Sequence, residues 1–314
     1  MEINKIHHGD ALTVLKTMPD ESVNCCVTSP PYWCLRDYGI EGQLGIEKIP
    51  EEYVSKMVEI FREVRRVLRD DGTLWLNLGD SYNNVTPGCR DPSRWPKQSR
   101  NNHKTNKNIC NNLKIKDLVG IPWLVAFALR ADGWYLRSDI IWHKPNPMPE
   151  SVTDRPTKAH EYIFLMSKSQ KYYYNNDAIR EQHAEPERGK GEPEKNNWSV
   201  DCKRGSHETV RLYNPAGRNK RTVWTVATQP FKDAHFATFP LELIRPCILA
   251  GCPEGGIVLD PFMGAGTTAQ VCLENDRNFR GIELNSKYIE IAEKRIKHLR
   301  EQGKLFNGGH INVS

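Results

Sequence analysis

The fold is decided by one run near the end of the chain: Val258-Leu259-Asp260-Pro261-Phe262-Met263-Gly264-Ala265-Gly266-Thr267-Thr268. Its apolar start, Val258-Leu259, predicts a buried strand, and Thr267-Thr268 at its end predict the beginning of a helix. The glycines between them let the backbone turn tightly and approach a ligand closely. Glu283 follows about twenty residues on, where nucleotide-binding sheets hold an acid against ribose hydroxyls. The run therefore indicates a cofactor loop without the third glycine of the dinucleotide pattern, and an ordinary strand-to-helix turn is the alternative.

A second run lies near the start: Thr28-Ser29-Pro30-Pro31-Tyr32-Trp33, directly after the apolar stretch Val23–Val27. It offers a hydroxyl at Ser29, a carbonyl at Pro30 that the following proline stiffens, and an aromatic face at Tyr32. An exocyclic amine on a base is a poor nucleophile because its lone pair is delocalised into the ring. Hydrogen bonds from both amine hydrogens to fixed acceptors localise that pair. The run therefore indicates a site for a planar amine, and a plain Pro-rich turn is the alternative.

Short strands alternate with helices along most of the chain, which predicts an α/β fold with a doubly wound, mostly parallel sheet. The helix at 50–68 has the clearest apolar stripe, and we expect it to end near Gly72. The predicted strands are Ile3–His8, Val23–Thr28, Thr73–Leu78, Leu136–Trp142, Tyr162–Ser167, Ile257–Asp260 and Phe279–Glu283. The predicted helices are Ala11–Met18, Pro50–Leu68, Ile121–Ala131, Pro240–Ala250, Thr267–Glu274 and Lys287–Leu299.

Two polar stretches interrupt this alternation. Residues 83–112 are Asn-rich and basic, and residues 176–223 are dense in charges of both signs. Long stretches of this kind inside a compact domain are usually functional or disordered. We interpret them as functional insertions between the sheet-forming segments 1–82, 113–175 and 224–314, with a solvated surface as the alternative.

The composition is that of a globular protein, with 38% hydrophobic residues, 26% charged residues and a net charge of +5. No apolar run approaches the roughly 20 residues of a membrane span, and the start lacks the apolar core of a signal peptide. A soluble, cytoplasmic protein is therefore expected. The nine cysteines form no C-x-x-C pair, so neither a metal site nor a disulfide framework is expected.

Together the two runs resemble the DNA amino-methyltransferases, which transfer a methyl group from S-adenosylmethionine to the exocyclic amine of a base. Because the catalytic run precedes the cofactor run, the chain is similar to the circularly permuted beta class, of bacterial or phage type. The resemblance implies a methyltransferase sheet in which the first strand lies beside the last. The cofactor-binding residues that it implies are Asp10, Ala11, His235, Phe239, Asp260, Phe262, Gly264, Gly266, Thr267, Glu283 and Asn285.

The resemblance assigns the chemistry to Ser29, Pro30, Pro31 and Tyr32, with Tyr32 stacking on a base flipped out of the duplex. Ser-Pro-Pro-Tyr is similar to the enzymes that methylate cytosine N4, whereas Asp-Pro-Pro-Tyr is commoner among adenine-N6 enzymes. Cytosine N4 is therefore favoured, and adenine N6 stays open. An RNA or protein substrate, or an inactive DNA-binding protein, is a more remote alternative.

Double-stranded DNA is the expected partner, with association to the nucleoid when the protein is bound to it. The run around Trp142–Pro147 resembles bacterial and phage members, so we expect Lys144 and Asn146, together with Trp33, near the flipped base. By the resemblance, 1–82 is the catalytic half, 176–223 the target-recognition region and 224–314 the cofactor half. Arg218, Lys220 and Arg221 are predicted to contact phosphates in that region. A cognate restriction endonuclease and a monomeric or dimeric state both stay open.

Overall fold

The computed structural model describes residues 2–35, 39–83, 113–183, 214, 216–229 and 239–307, with side chains as far as residue 299. In this part of the chain, eight strands form one sheet and six α-helices pack against it. The strands are β1 (Lys5–His8), β2 (Val23–Thr28), β3 (Leu68–Leu78), β4 (Tyr135–His143), β5 (His160–Ser167), β6 (Val223–Thr225), β7 (Ile257–Asp260) and β8 (Asn278–Glu283). The helices are α1 (Ala11–Lys16), α2 (Pro50–Val67), α3 (Ile121–Ala131), α4 (Leu241–Gly251), α5 (Thr267–Glu274) and α6 (Ser286–Asn307).

The sheet has the order β1-β8-β7-β2-β3-β5-β4-β6. The pairs from β1 to β3 are parallel, β5 is antiparallel to both of its neighbours, and β6 is parallel to β4. The first strand lies beside the last, since Lys5 pairs with Arg280 and His8 with Glu283. This arrangement confirms the circularly permuted, mostly parallel sheet, and it brings the two ends of the sequence to one edge.

Strand β2 is buried on both faces because it lies in the middle of the sheet. Successive side chains of a strand point to opposite faces. Accordingly, Cys26 packs in the core beneath α1, α2 and α3, whereas Cys25 and Val27 pack beneath α4, α5 and α6. Burial raises the pKa of both thiols well above the ordinary value, so they act as small apolar residues.

Strands β2 and β7 and helices α3 and α5 begin and end at the predicted residues. Helix α2 ends one residue before the predicted Leu68, but the interpretation of Gly72 as its stop signal was wrong. The helix ends at Val67 because Leu68 already has an extended backbone, with φ −70° and ψ 140°. Leu68 then pairs with Val23 as the first residue of β3, and Gly72 lies inside that strand.

Strand β6 was not predicted, because three residues are too few to establish an alternating pattern. It pairs with β4, with Trp224 opposite Trp142. Because β6 runs from Val223 to Thr225, it spans the predicted boundary between segments 176–223 and 224–314. The basic insertion beyond Asn83 lies outside the described residues, as do 184–213 and 215 of the second insertion. No helix in the described ranges is long and apolar enough to cross a membrane.

Candidate active site

Both predicted runs lie at the carboxyl ends of two adjacent strands, β2 and β7. Strand β7 continues through α5 to β8 on one side, and β2 continues through α2 to β3 on the other. Ligands of open α/β sheets bind at such a switch point. Here the two runs open into one cavity of ≈ 440 Å³. Predicted residues that line it are Asp10, Ala11, Ser29, Pro30, Pro31, Tyr32, Lys144, Phe239, Phe262, Gly264, Thr267, Glu283 and Asn285.

Asp260 fixes the start of the Gly-rich loop from a fully buried position. Its carboxylate accepts hydrogen bonds from the hydroxyls of Thr28 and Thr268, both at 2.6 Å, and from the backbone N–H of Phe262 at 3.0 Å. Burial raises the pKa of Asp260 to about 6, although these hydrogen bonds favour the ionised form. Asp260 therefore ties β2, β7 and α5 together beneath the loop and does not line the cavity.

The two glycines of the loop serve different purposes. Both have a left-handed backbone, with φ +52° at Gly264 and +81° at Gly266. A Cβ on Gly264 would face open space, with the Phe262 carbonyl oxygen nearest at 4.0 Å. A Cβ on Gly266 would lie 2.8 Å from the Cβ of Ala292 in α6. Gly264 thus belongs to the cavity wall, whereas Gly266 allows α6 to pack closely and is absent from that wall.

Glu283 ends β8 and faces the cavity. Its Oε2 accepts a hydrogen bond from the Gly264 N–H at 2.7 Å, and its Oε1 accepts one from the Asn285 N–H at 2.8 Å. Burial raises the pKa of Glu283, and the two N–H groups oppose that shift. Each carboxylate oxygen has a further lone pair, so Glu283 can accept hydrogen bonds from ribose hydroxyls as well.

The other cofactor residues complete a site that fits S-adenosylmethionine. Asp10 caps α1, and its Oδ1 accepts hydrogen bonds from the backbone N–H and the hydroxyl of Thr13 at 2.9 and 2.8 Å. Phe239 and Phe262 give the cavity aromatic walls for the apolar parts of a nucleoside. His235 lies outside the described residues. The residues that would hold the cofactor thus come from both ends of the chain, as the permuted order predicts.

The Ser-Pro-Pro-Tyr loop is held from three sides. The Tyr53 hydroxyl donates a hydrogen bond to the Pro31 carbonyl at 2.9 Å. Gly45 has φ +90°, and a Cβ there would lie 2.7 Å from the Tyr32 carbonyl oxygen. A Cβ on Gly79 would lie 2.5 Å from Cε2 of the Tyr32 ring. The close approach of the loop to its neighbours therefore requires glycine at both positions.

The Tyr32 hydroxyl is the centre of a polar network that joins the loop to β3 and β5. It lies 2.7 Å from Glu161 Oε2 and 3.1 Å from Asn77 Oδ1, and it accepts a hydrogen bond from Ser29 Oγ at 3.3 Å. A phenol has one hydrogen, which the shorter distance assigns to Glu161. Burial raises the pKa of Tyr32 well above its ordinary value, and the Glu161 carboxylate raises it further, so the phenol stays protonated.

The three residues predicted to contact the flipped base lie in different environments. Lys144 lines the cavity. Asn146 does not line the cavity itself but exchanges two hydrogen bonds, at 3.2 and 3.0 Å, with the backbone of Thr228, which does. Trp33 is buried away from the cavity, and its Nε1 donates to the Glu47 carbonyl at 3.0 Å. The structure therefore brings Lys144 and Asn146 to the site and leaves Trp33 in the core.

The basic residues of the second insertion converge on one acid. Arg218, Lys220 and Arg221 lie 3.5, 3.7 and 3.0 Å from the carboxylate oxygens of Glu181. Lys220 also stands 5.1 Å above the centroid of the Trp224 ring. Glu181 therefore offsets part of the positive charge of this basic cluster.

The residues that line the cavity and that the sequence did not single out include Leu35, Ile40, Asn77, Met148 and Glu161. The sequence could have pointed to Glu161 as a functional residue, because it is an acid near the start of an otherwise apolar strand, β5. Asn77 carried a weaker signal, as a polar residue inside the apolar run of β3. The other three are apolar residues in loops and gave no signal.

Comparison with known proteins agrees with this geometry. A family described as DNA methylase, with N6 and N4 specificity in its name, matches residues 23–294. The chain belongs to this N6/N4 DNA methylase family. M.Cfr9I of Citrobacter freundii, a Type II methyltransferase, is 49% identical over 299 residues, which are 95% of the methylase chain and 89% of M.Cfr9I.

Two solved structures share the fold of the methylase. The PvuII DNA methyltransferase (cytosine-N4-specific) is 16% identical, with a TM-score of 0.62 over 97% of the methylase and 93% of its own chain. TTHA0409 of Thermus thermophilus, solved with S-adenosyl-L-methionine, is 24% identical, with a TM-score of 0.58 over 94% and 93%. These structures share the fold of the methylase, and its family membership makes it an S-adenosylmethionine-dependent DNA methyltransferase.

Proposed function

We propose that the methylase transfers the methyl group to N4 of cytosine in double-stranded DNA. The observation that carries this proposal is Ser29 in the wall of the cavity that also contains Gly264 and Glu283. A neutral hydroxyl therefore stands at the amine-binding position, where the adenine-N6 pattern has an aspartate. An amine held at Ser29 shares one cavity with the cofactor, so both reactants meet without a change of site.

The catalytic loop offers two acceptors to the target amine. The Pro31 carbonyl is engaged by Tyr53, but the Pro30 carbonyl accepts no hydrogen bond from any described residue. Ser29 directs its hydroxyl hydrogen to Tyr32, which leaves the Oγ lone pairs for the amine. Two fixed acceptors favour a tetrahedral nitrogen with a localised lone pair. The bound cofactor supplies a methyl group that its positive sulfur already activates.

The target base must leave the duplex to reach this cavity. The Tyr32 ring packs against the Gly79 backbone and also lines the cavity, so it can stack on the flipped base. One stacking contact of this kind contributes about 1–3 kcal/mol. Lys144 adds a positive charge to the cavity wall, where it pairs with Glu161 and stands 4.3 Å above the centroid of the Trp142 ring.

The target-recognition region 176–223 is proposed to contact DNA phosphates through Arg218, Lys220 and Arg221. Neutralising all three should reduce the log–log salt dependence of DNA binding by about 0.9 for each phosphate that is no longer neutralised. Glu181→Gln is the matched control, since it frees the same cluster from its acid and should steepen that dependence. An unchanged slope in the triple variant would show that the cluster is only a solvated surface.

The proposed specificity is tested by the chemistry of the product. Purified methylase is incubated with unmethylated duplex DNA and isotopically labelled S-adenosylmethionine, and the DNA is digested to nucleosides for mass spectrometry. We expect the label in N4-methyldeoxycytidine and a loss of roughly 10²-fold in rate for Ser29→Ala. Label in N6-methyldeoxyadenosine would overturn the cytosine assignment. If DNA and RNA are supplied together and only the RNA is labelled, the assignment of DNA as the substrate is overturned.

A further inference from the structure

A serine at the amine-binding position leaves one chemical requirement unmet. The bond from nitrogen to the methyl carbon forms from the nitrogen lone pair, while the sulfur–carbon bond breaks and its electron pair stays on sulfur. The nitrogen is then cationic and must release a proton. The Ser29 hydroxyl can accept a hydrogen bond but is too weak a base to hold that proton near neutral pH.

A carboxylate lies behind Ser29, at the end of a line of oxygens. Ser29 Oγ is 3.3 Å from Tyr32 Oη, and Tyr32 Oη is 2.7 Å from Glu161 Oε2. The first distance is long for an O–H···O hydrogen bond, and the second is optimal. Catalytic hydrogen bonds are often long before the substrate binds and shorten in the complex. The line therefore connects the Ser29 hydroxyl, where the amine is held, through the Tyr32 hydroxyl to a carboxylate in another part of the cavity wall.

The surroundings of Glu161 hold its carboxylate in place. Lys144 forms an ion pair with it, and both side chains are largely buried, at 19% and 15% exposure. The Asn77 amide donates to Oε2 at 3.3 Å and to the Tyr162 carbonyl at 3.0 Å. Two further titratable groups interact electrostatically with Glu161: His160 at the start of β5, and Lys158 just before it, which pairs with Asp80 at 3.7 Å.

We propose that Glu161 is the terminal proton acceptor of methyl transfer, reached from the target amine through Ser29 and Tyr32. The amine proton passes to Ser29 Oγ, the Ser29 hydrogen to Tyr32 Oη, and the Tyr32 hydrogen to Glu161 Oε2. Ser29 and Tyr32 end neutral, and the positive charge of the methylated amine is cancelled on the carboxylate. The inference rests on the proposed role of Ser29. Because Glu161 acts through Tyr32, it is a positioning residue rather than a catalytic one.

The proposal is tested with variants that remove the Tyr32 hydroxyl or the Glu161 carboxylate and leave the aromatic ring at position 32 in place. Tyr32→Phe retains the stacking face, and Glu161→Gln retains the size of the side chain. Each should slow single-turnover methyl transfer by roughly 10²–10⁴-fold, the usual contribution of a positioned acid or base. The double variant should be no slower than the slower single variant, because residues that act as one unit are strongly non-additive.

Two further measurements separate a relay from a structural role. Wild-type methyl transfer should be slower in D₂O than in H₂O because protons move along the line of hydroxyls, and this solvent isotope effect should be reduced in Tyr32→Phe and Glu161→Gln. Calorimetry should give wild-type affinity for S-adenosylmethionine in both single variants, and their affinity for duplex DNA should also be unchanged. Cofactor affinity that falls together with the rate would overturn the relay in favour of a structural role.

The outcome for Ser29→Ala distinguishes failure of the relay from failure of the proposed function. If Ser29→Ala is slow but Tyr32→Phe and Glu161→Gln react at the wild-type rate, the proposed function stands and the relay is wrong. If Ser29→Ala itself reacts at the wild-type rate, the proposed function fails, and the relay fails with it. Losses that multiply in the double variant would also contradict the relay, since they indicate independent effects.

Discussion

The two loops that meet in the cavity are shaped by different means. The Gly-rich loop is shaped mainly by local features: two left-handed glycines, and Asp260, which accepts from the backbone two residues on, although Thr28 of β2 also donates to that carboxylate. The Ser-Pro-Pro-Tyr loop is shaped by distant side chains, because Tyr32 bonds Asn77 and Glu161 at separations of 45 and 129 residues. A loop that binds a cofactor needs a fixed backbone, whereas one that handles a proton needs a chain of oriented groups.

We expect the largest effects on stability and cofactor affinity from substitutions of the two glycines in the Gly-rich loop, Gly264 and Gly266. Gly264→Ala and Gly266→Ala should share a backbone strain of about 1–2 kcal/mol, since both positions are left-handed. Only Gly266→Ala should add overpacking against Ala292, of about 1–3 kcal/mol. Urea unfolding should therefore show the larger loss of stability in Gly266→Ala. Calorimetry should show the larger loss of cofactor affinity in Gly264→Ala, and the reverse order in either measurement would contradict the division of roles.

A second prediction concerns Asp260 and pH. Its pKa of about 6 in the folded protein exceeds the value of about 3.9 in an unfolded chain. Between these two pKa values, folding is accompanied by the uptake of a proton at Asp260. The contribution of protonated Asp260 to the free energy of unfolding is therefore full below about pH 4 and is lost as the pH rises through about 6. Relative to Asp260→Asn, the wild-type free energy of unfolding should fall by about 3 kcal/mol over this range. A difference that does not change with pH would show that Asp260 titrates as it does in the unfolded chain.

A third prediction concerns Gly79, which packs against the Tyr32 ring. Gly79→Ala puts a methyl group against the Tyr32 ring and should move the line of hydroxyls without touching the cofactor residues. A displacement of about 1 Å at reacting groups can cost roughly 10²-fold in rate. Single-turnover kinetics should show such a loss at wild-type cofactor affinity. Gly133→Ala, where an added Cβ would meet only Arg65 atoms at 3.8 Å, is the control for an alanine that does not touch Tyr32 and should react normally, although Gly133 is left-handed and Gly79 is not.

The sequence predicted most of the sheet and the cofactor loop, because both depend on local pattern. Strand β7, the turn and α5 are contiguous, and Glu283 is only 19 residues from the Gly264 N–H that it binds. The distinct purposes of Gly264 and Gly266 were not predictable, because the reason for Gly266 lies in Ala292 of another helix. The end of α2 was predicted to within one residue, but its stop was wrongly assigned to Gly72, which resembles a helix stop and belongs to β3.

The catalytic network was predicted in part. Ser29, Pro30 and Tyr32 were expected to act on an amine, and all three line the cavity. Glu161 was not expected, because only the antiparallel pairing of β5 with β3 brings it beside Asn77 and Tyr32. The same limit applies to the basic cluster, since sequence order does not reveal that three cations share Glu181.

The most direct test of this division measures cofactor affinity and methyl transfer on the same two variants, Ser29→Ala and Glu283→Gln. Isothermal titration with S-adenosylmethionine should give wild-type affinity for Ser29→Ala and a Kd raised by roughly tenfold or more for Glu283→Gln, which loses a charged acceptor. Single-turnover transfer at saturating cofactor should fall by roughly 10²-fold in Ser29→Ala and stay near the wild-type rate in Glu283→Gln. The account is contradicted if Ser29→Ala weakens cofactor binding as much as Glu283→Gln does, or if Glu283→Gln binds like the wild type.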